Sequence, residues 1–180
     1  MEDPRLRVCL ERTVELGAVR LALRDWPGLA GPLVHVADPF SPASETPSVL
    51  AEALVPIYRV VSLSPRGNSP YQVDTSDLLG TLDQFGFVEP TLVGERLGCV
   101  AALLLAAWYP ERVGRLVLID PTYDPPASDN IAARALLDCP PDWPALRART
   151  RCPVLVVRWS ASSVGEITTF LSGQPAMPRS

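Results

Sequence analysis

Lysine is absent from this 180-residue chain, histidine occurs once, at His35, and the four cysteines include no C-x-x-C pair. The lone histidine excludes a histidine-rich zinc site, and any chemistry that needs an imidazole base must use His35 or do without. Cys9, Cys99, Cys139 and Cys152 lack metal or dithiol spacing, and Cys99 lies in an apolar stretch typical of a buried free thiol, which implies a reducing, cytoplasmic setting. No metal and no cofactor is expected. The 16 arginines are scattered among 20 acidic residues, for a net charge of -4, so no footprint for nucleic acid is visible. Arginine without lysine is read as a bacterial-type compositional bias. The segment MEDPRLRVCLERTVEL mixes acids and arginines where a signal peptide needs an apolar core, and no apolar run is long enough for a membrane span, so a soluble protein with no membrane partner is expected.

What is present fits one domain, residues 1–180, since a chain of this length buries roughly 70% of its unfolded surface. The apolar alternation from Thr13 to Arg24, broken at Gly17, predicts a hairpin with Val19, Leu21 and Leu23 on one face. Continuous apolar runs predict strands covered on both faces at Leu33 to Ala37, Tyr58 to Leu63, Thr91 to Gly94, Arg115 to Asp120 and Pro153 to Arg158. Helical patterns lie between them at Ser48 to Val55, Thr75 to Phe85, Arg96 to Tyr109 and Asn130 to Leu137, with another at Val164 to Leu171. This alternation predicts an α/β fold: a three-layer α/β/α sandwich around a mostly parallel sheet of about seven strands, with the hairpin at one edge. Ligands of such sheets bind beyond the carboxyl ends of the strands, which directs attention to the loops after Ala37, Gly94, Asp120 and Arg158.

The most informative segment is LVGERLGCVAALLLAAWYPERVGRLVLID, Leu92 to Asp120. A strand runs into Gly94-Glu95-Arg96-Leu97-Gly98 and an apolar helix follows at once. At so sharp a turn the central residue is strained, and side chains two positions either side collide, which requires the two glycines. With SVLAEALVPIYRVVSLSPRGNSPY, Ser48 to Tyr71, and AAWYPERVGRLVLIDP, Ala106 to Pro121, this segment resembles the α/β-hydrolase family over nearly the whole chain. The resemblance implies that Gly94 to Gly98 is the nucleophile elbow.

The positions that the resemblance implies for catalysis depart from the family pattern. Arg96 stands where the family places serine, cysteine or aspartate, and a guanidinium does not act as a nucleophile. The family's acid after the seventh strand falls near Ser163. Its histidine follows an eighth strand, which the chain is expected to lack along with the cap domain, TYDPPASDNIAARALLDCPPDWPALRARTR standing in the cap's place. The oxyanion loop's His-Gly corresponds to Asp38-Pro39, where proline removes a donor and Asp38 adds opposing charge.

For Arg96 two readings stand: an anion receptor beside helix N–H groups, or an internal salt bridge to Asp38, Asp120 or Glu95. His35 reads as a packed core histidine rather than a base. Cys99 would be a nucleophile only if exposed and activated, and Asp120 has nothing to orient. No catalytic residue is assigned. The ligand-binding crevice is read as Arg96, Asp38, Phe40, Glu95, Leu97, Asp120, Tyr123, Trp159 and Ser163. A catalytically inactive α/β-hydrolase-like protein, a pseudoenzyme with a binding or interaction role, follows from the joint loss of these motifs, and it argues against serine-hydrolase chemistry. The alternatives are a superfamily enzyme with non-standard chemistry on a small organic, anionic substrate, or hydrolysis with residues supplied by a partner. The expected partners are a small anionic ligand and, through the exposed strand Pro153 to Arg158, a second copy or another protein.

Overall fold

The apolar runs of the sequence become the middle of a sheet. The computed structural model describes residues 8–17, 19–38, 44–55, 57–63, 75–121 and 142–173. Among these, seven strands are β1 (Leu10–Leu16), β2 (Val19–Trp26), β3 (Ala30–Val36), β4 (Tyr58–Leu63), β5 (Thr91–Glu95), β6 (Arg115–Ile119) and β7 (Val154–Val157). They lie in the order β1-β2-β4-β3-β5-β6-β7. The β1/β2 and β2/β4 pairs are antiparallel and every later pair is parallel. The hairpin therefore forms one edge and β7 the other.

Five α-helices are described: α1 (Thr46–Leu54), α2 (Thr75–Phe85), α3 (Gly98–Trp108), α4 (Trp143–Arg149) and α5 (Ser163–Leu171). The period-2 alternation of strand side chains sorts them into two layers. Val34, Val36, Leu92, Leu116 and Leu118 pack with Leu78 and Leu82 of α2 and Leu103 and Leu105 of α3, and Leu146 of α4 joins this side. Leu33, Val60, Val93, Val117 and Ile119 pack with Leu50 and Leu54 of α1 and Ile167 and Leu171 of α5. The architecture is the expected three-layer α/β/α sandwich.

Several boundaries differ from the sequence reading. α3 begins at Gly98 rather than Arg96, because Arg96 takes a left-handed backbone conformation, φ +49°. α1 begins at Thr46 rather than Ser48, since Pro47 is suited to a first helical turn. β1 extends back to Leu10 through mostly exposed residues, which carry no apolar alternation but pair in register with β2 as far as Asp25. Likewise β3 starts at Ala30, in a segment that is exposed and broken by a register shift before Leu33. β7 is confined to Val154–Val157, inside the expected Pro153 to Arg158, and α5 gains Ser163. The helix expected at Asn130 to Leu137 lies outside the described residues, as does most of the segment standing in place of a cap.

One buried charge ties the hairpin to the sheet. The Asp25 carboxylate, 1% exposed, accepts Arg59 Nε at 2.9 Å and Arg59 Nη2 at 2.7 Å, and pairs with Arg12 Nε at 2.7 Å. Arg59 in turn lies over the rings of Phe85 and Phe87, each centroid 5.2 Å away. Bidentate pairing and stacking on aromatic faces are both properties that lysine does not supply.

The register brings the carboxyl ends of the parallel strands together. Val36 pairs with Gly94, Glu95 with Ile119, and Ile119 with Val157. The residues that follow, Asp38, Arg96, Asp120 and Trp159, emerge along this one end of the sheet. Among the described residues, no helix is long and apolar enough to cross a membrane.

Candidate functional site

A tight strand-to-helix turn stands at this end. β5 stops at Glu95, and after Arg96 and Leu97 helix α3 has begun. Arg96 holds φ +49° while its N–H donates to Ile119 O at 2.8 Å and its carbonyl accepts Cys99 N–H at 3.1 Å. A left-handed conformation costs a non-glycine residue about 1–3 kcal/mol, so the surrounding contacts must hold it. The flanking glycines show what those contacts are. A Cβ on Gly94 would lie 2.5 Å from Cys99 Cα, and one on Gly98 would overlap the Val36 carbonyl oxygen. Strand, turn and helix therefore approach closely enough that only hydrogen fits at both positions.

Arg96 reaches from the apex to β3's end. Its Nε pairs with Asp38 Oδ2 at 2.8 Å; the arginine side chain is 40% exposed and the aspartate 3%. Of the three carboxylates considered as partners, Asp38 is the one that Arg96 engages. Asp120 is directed elsewhere: its N–H donates to Val157 O at 2.9 Å, and its Oδ1 accepts Trp159 N–H at 3.1 Å. Asp120 is the second non-glycine residue with positive φ, +44°, so two adjacent strand ends carry backbone strain. Leu97 follows Arg96 in the turn, and Trp159 packs against the apolar layer of α1 and α5. Phe40 and Tyr123, with Pro39, lie outside the described residues.

Glu95 belongs to a different network. Beneath the elbow, His35 of β3 lies in register with Ser62 of β4 and beside β5. Its Nδ1 meets Ser62 Oγ at 3.0 Å and its Nε2 meets Glu95 Oε2 at 3.2 Å. Ser44 and Thr46 hydroxyls donate to Glu95 Oε1, both at 2.9 Å. Burial alone would push the Glu95 carboxyl up; the bond to His35 and its charge, with the two hydroxyl donors, outweigh that and hold it below the usual carboxylate range. The order Ser62, His35, Glu95 has the connectivity of a hydrolytic triad, yet Ser62 is 1% exposed and His35 fully buried. No substrate carbonyl reaches such a serine, and the network joins three strands to the start of α1. Ser62, Ser44 and Thr46 were not foreseen. The available signal was one polar residue inside each of the apolar runs LVHVA and VVSL, His35 and Ser62.

Comparison with known proteins agrees with this geometry. The chain is 38% identical over 104 residues to the mouse (Mus musculus) sn-1-specific diacylglycerol lipase ABHD11, a match covering 51% of this chain and 34% of that protein. In structure it is similar to epoxide hydrolase A of Mycobacterium thermoresistibile, with 26% identity and TM-score 0.50 over 72% of this chain and 46% of that one. The chain belongs to the α/β-hydrolase superfamily. Cfl2 of Burkholderia cenocepacia is likewise similar in structure, with 25% identity and TM-score 0.51, covering 71% of this chain and 47% of that one. The chain thus spans about a third of the length of the curated relative and under half of each of these solved structures. No protein-family model matches it.

Within the α/β-hydrolase frame, Cys99, weighed as an alternative nucleophile, and Ser163, at the position of the family's acid, are both held in structural contacts. Cys99, fully buried, donates from Sγ to Gly94 O at 3.2 Å, and burial pushes its thiol far up, so it stays protonated at neutral pH. Ser163 Oγ donates to Arg158 O at 2.9 Å and accepts Ser160 N–H at 2.8 Å. It closes the turn into α5 and is fully buried.

Proposed function

We propose that this chain is a catalytically inactive α/β-hydrolase-like module that binds a small anionic ligand at its elbow. The observation that carries the reading is Arg96 at the apex, in the strained conformation of a nucleophile but paired with Asp38. A guanidinium has no available electron pair to attack a carbonyl. It does offer donors in a planar fork that suits carboxylate or phosphate, and the start of α3 adds the positive end of a helix dipole. With its side chain 40% exposed, Arg96 faces solvent while Asp38 holds it from behind.

Titration calorimetry with succinate and with inorganic phosphate tests this. The expected result is binding by the parent chain that is lost in Arg96→Ala, with the variant's circular dichroism unchanged. If the parent binds neither probe and Arg96→Ala only loses stability, the pair is an internal salt bridge and the reading fails.

A second reading, a superfamily enzyme with non-hydrolytic chemistry on an anionic substrate, is favoured by the strained backbone of Asp120 beside Arg96, because such strain clusters at functional sites. In that case Asp120 is the base, and Asp120→Asn abolishes turnover while leaving ligand affinity in place.

A further inference from the structure

Helix α3 carries the chain away from the elbow to the opposite end of the sheet, about 16 Å for its 11 residues. There its last turn and helix α4 border a shallow groove of about 430 Å³ that opens to solvent, lined by Ala107, Trp108, Pro110, Ala148, Arg149 and Arg151. Trp108 is 52% exposed, and Arg149 and Arg151 are exposed. Among the described residues no carboxylate lies within ion-pairing distance of either arginine. Arg149, in the last turn of α4, has a structural use there, since a cation complements the negative end of a helix dipole. Arg151 lies beyond the helix and has no such use.

We propose that this groove is a docking site for an acidic segment of a partner protein, its apolar side chain resting on Trp108 and its carboxylates on Arg149 and Arg151. The groove is too open to enclose a small molecule, which pockets commonly bury by 70–90%. Exposed tryptophan and arginine are instead the residue types that concentrate binding energy at protein interfaces. Charge complementarity points the same way. The chain as a whole carries -4, so two arginines beside an aromatic face, with no carboxylate paired to them among the described residues, are a local reversal that steers an acidic partner to this spot.

The test uses the intact chain and an acetylated probe peptide, Glu-Glu-Leu-Phe-Glu-Glu, followed by fluorescence anisotropy at low salt. Binding is expected, with affinity falling roughly tenfold in Trp108→Ala and in the Arg149→Ala/Arg151→Ala double variant. Arg147→Ala, which removes an exposed charge of α4 outside the groove, is expected to change affinity less than about twofold. A peptide with glutamine in place of every glutamate is expected not to bind. No binding by the parent chain overturns the proposal, and so does an equal loss in Arg147→Ala, which indicates diffuse charge attraction. Displacement of the peptide by inorganic phosphate at equimolar concentration also overturns it, in favour of a simple anion site. Circular dichroism of each variant separates lost docking from lost fold, and none of these substitutions touches the elbow.

Discussion

Arg96 and Asp38 share an ion pair of 2.8 Å that spans the elbow, joining the turn after β5 to the end of β3. The two partners differ in burial: the guanidinium side chain is 40% exposed and the carboxylate 3%, so the pair compensates a charge that water reaches poorly. A double-mutant cycle measures this directly. Arg96→Ala is expected to destabilise by about 1–2 kcal/mol in urea denaturation, the low end for a buried pair because one partner is solvated. Arg96→Ala/Asp38→Ala should lose less than the sum of the single variants, with a coupling of about 1 kcal/mol. Strict additivity would show that the contact contributes nothing.

The glycines of the elbow provide a second test. A Cβ on Gly98 meets the backbone oxygen of Val36, which has little freedom to move inside a central strand. Gly98→Ala is therefore expected to cost more than about 3 kcal/mol or to prevent folding. Gly165→Ala, within α5 and with nothing within 4 Å of the added carbon, is expected to be neutral or to stabilise by up to about 1 kcal/mol. Chemical denaturation of the two variants beside the parent measures the contrast.

Glu95 makes stability depend on pH in a defined direction. Its folded carboxyl lies below the ordinary value of 4.5, so it contributes stability above about that pH and loses it as the pH falls through the folded value. Glu95→Gln cannot titrate. The stability advantage of the parent over this variant should be largest near pH 7 and shrink as the pH is lowered below 4.5, in thermal melts at matched ionic strength. A constant difference across that range contradicts the assignment.

Cysteine reactivity should follow burial. Cys99 is fully buried with its thiol pushed up, whereas Cys9 and Cys152 are half-buried. Under native conditions an alkylating reagent followed by peptide mass mapping should label Cys9 and Cys152 first, and Cys99 only on addition of denaturant. Rapid native labelling of Cys99 would show that the elbow opens.

The legible parts of this molecule were those written in local patterns. The apolar runs at Leu33, Tyr58, Thr91 and Arg115 mark central strands because both faces are covered, and Gly94 and Gly98 mark the turn because two glycines flank one crowded residue. Arg96 was legible as a residue out of keeping with its position, but its conformation was not: helical periodicity placed it inside α3, whereas the strain of the elbow delays the helix to Gly98. Contacts between distant segments had no local signal. Asp25 finds Arg59 across 34 residues of chain, and Glu95, weighed as a partner for Arg96, instead bonds His35 from 60 residues away. Only the polar residues inside two apolar runs, His35 and Ser62, foreshadowed that network.

The central claim is that Arg96 replaces hydrolytic chemistry at the elbow. The direct measurement is the release of nitrophenol from a short-chain nitrophenyl ester by the purified chain and by its Arg96→Ala variant, on the same preparation. The account predicts no release above the buffer rate from either. Hydrolysis by the parent chain that survives purification and disappears in Arg96→Ala would contradict it.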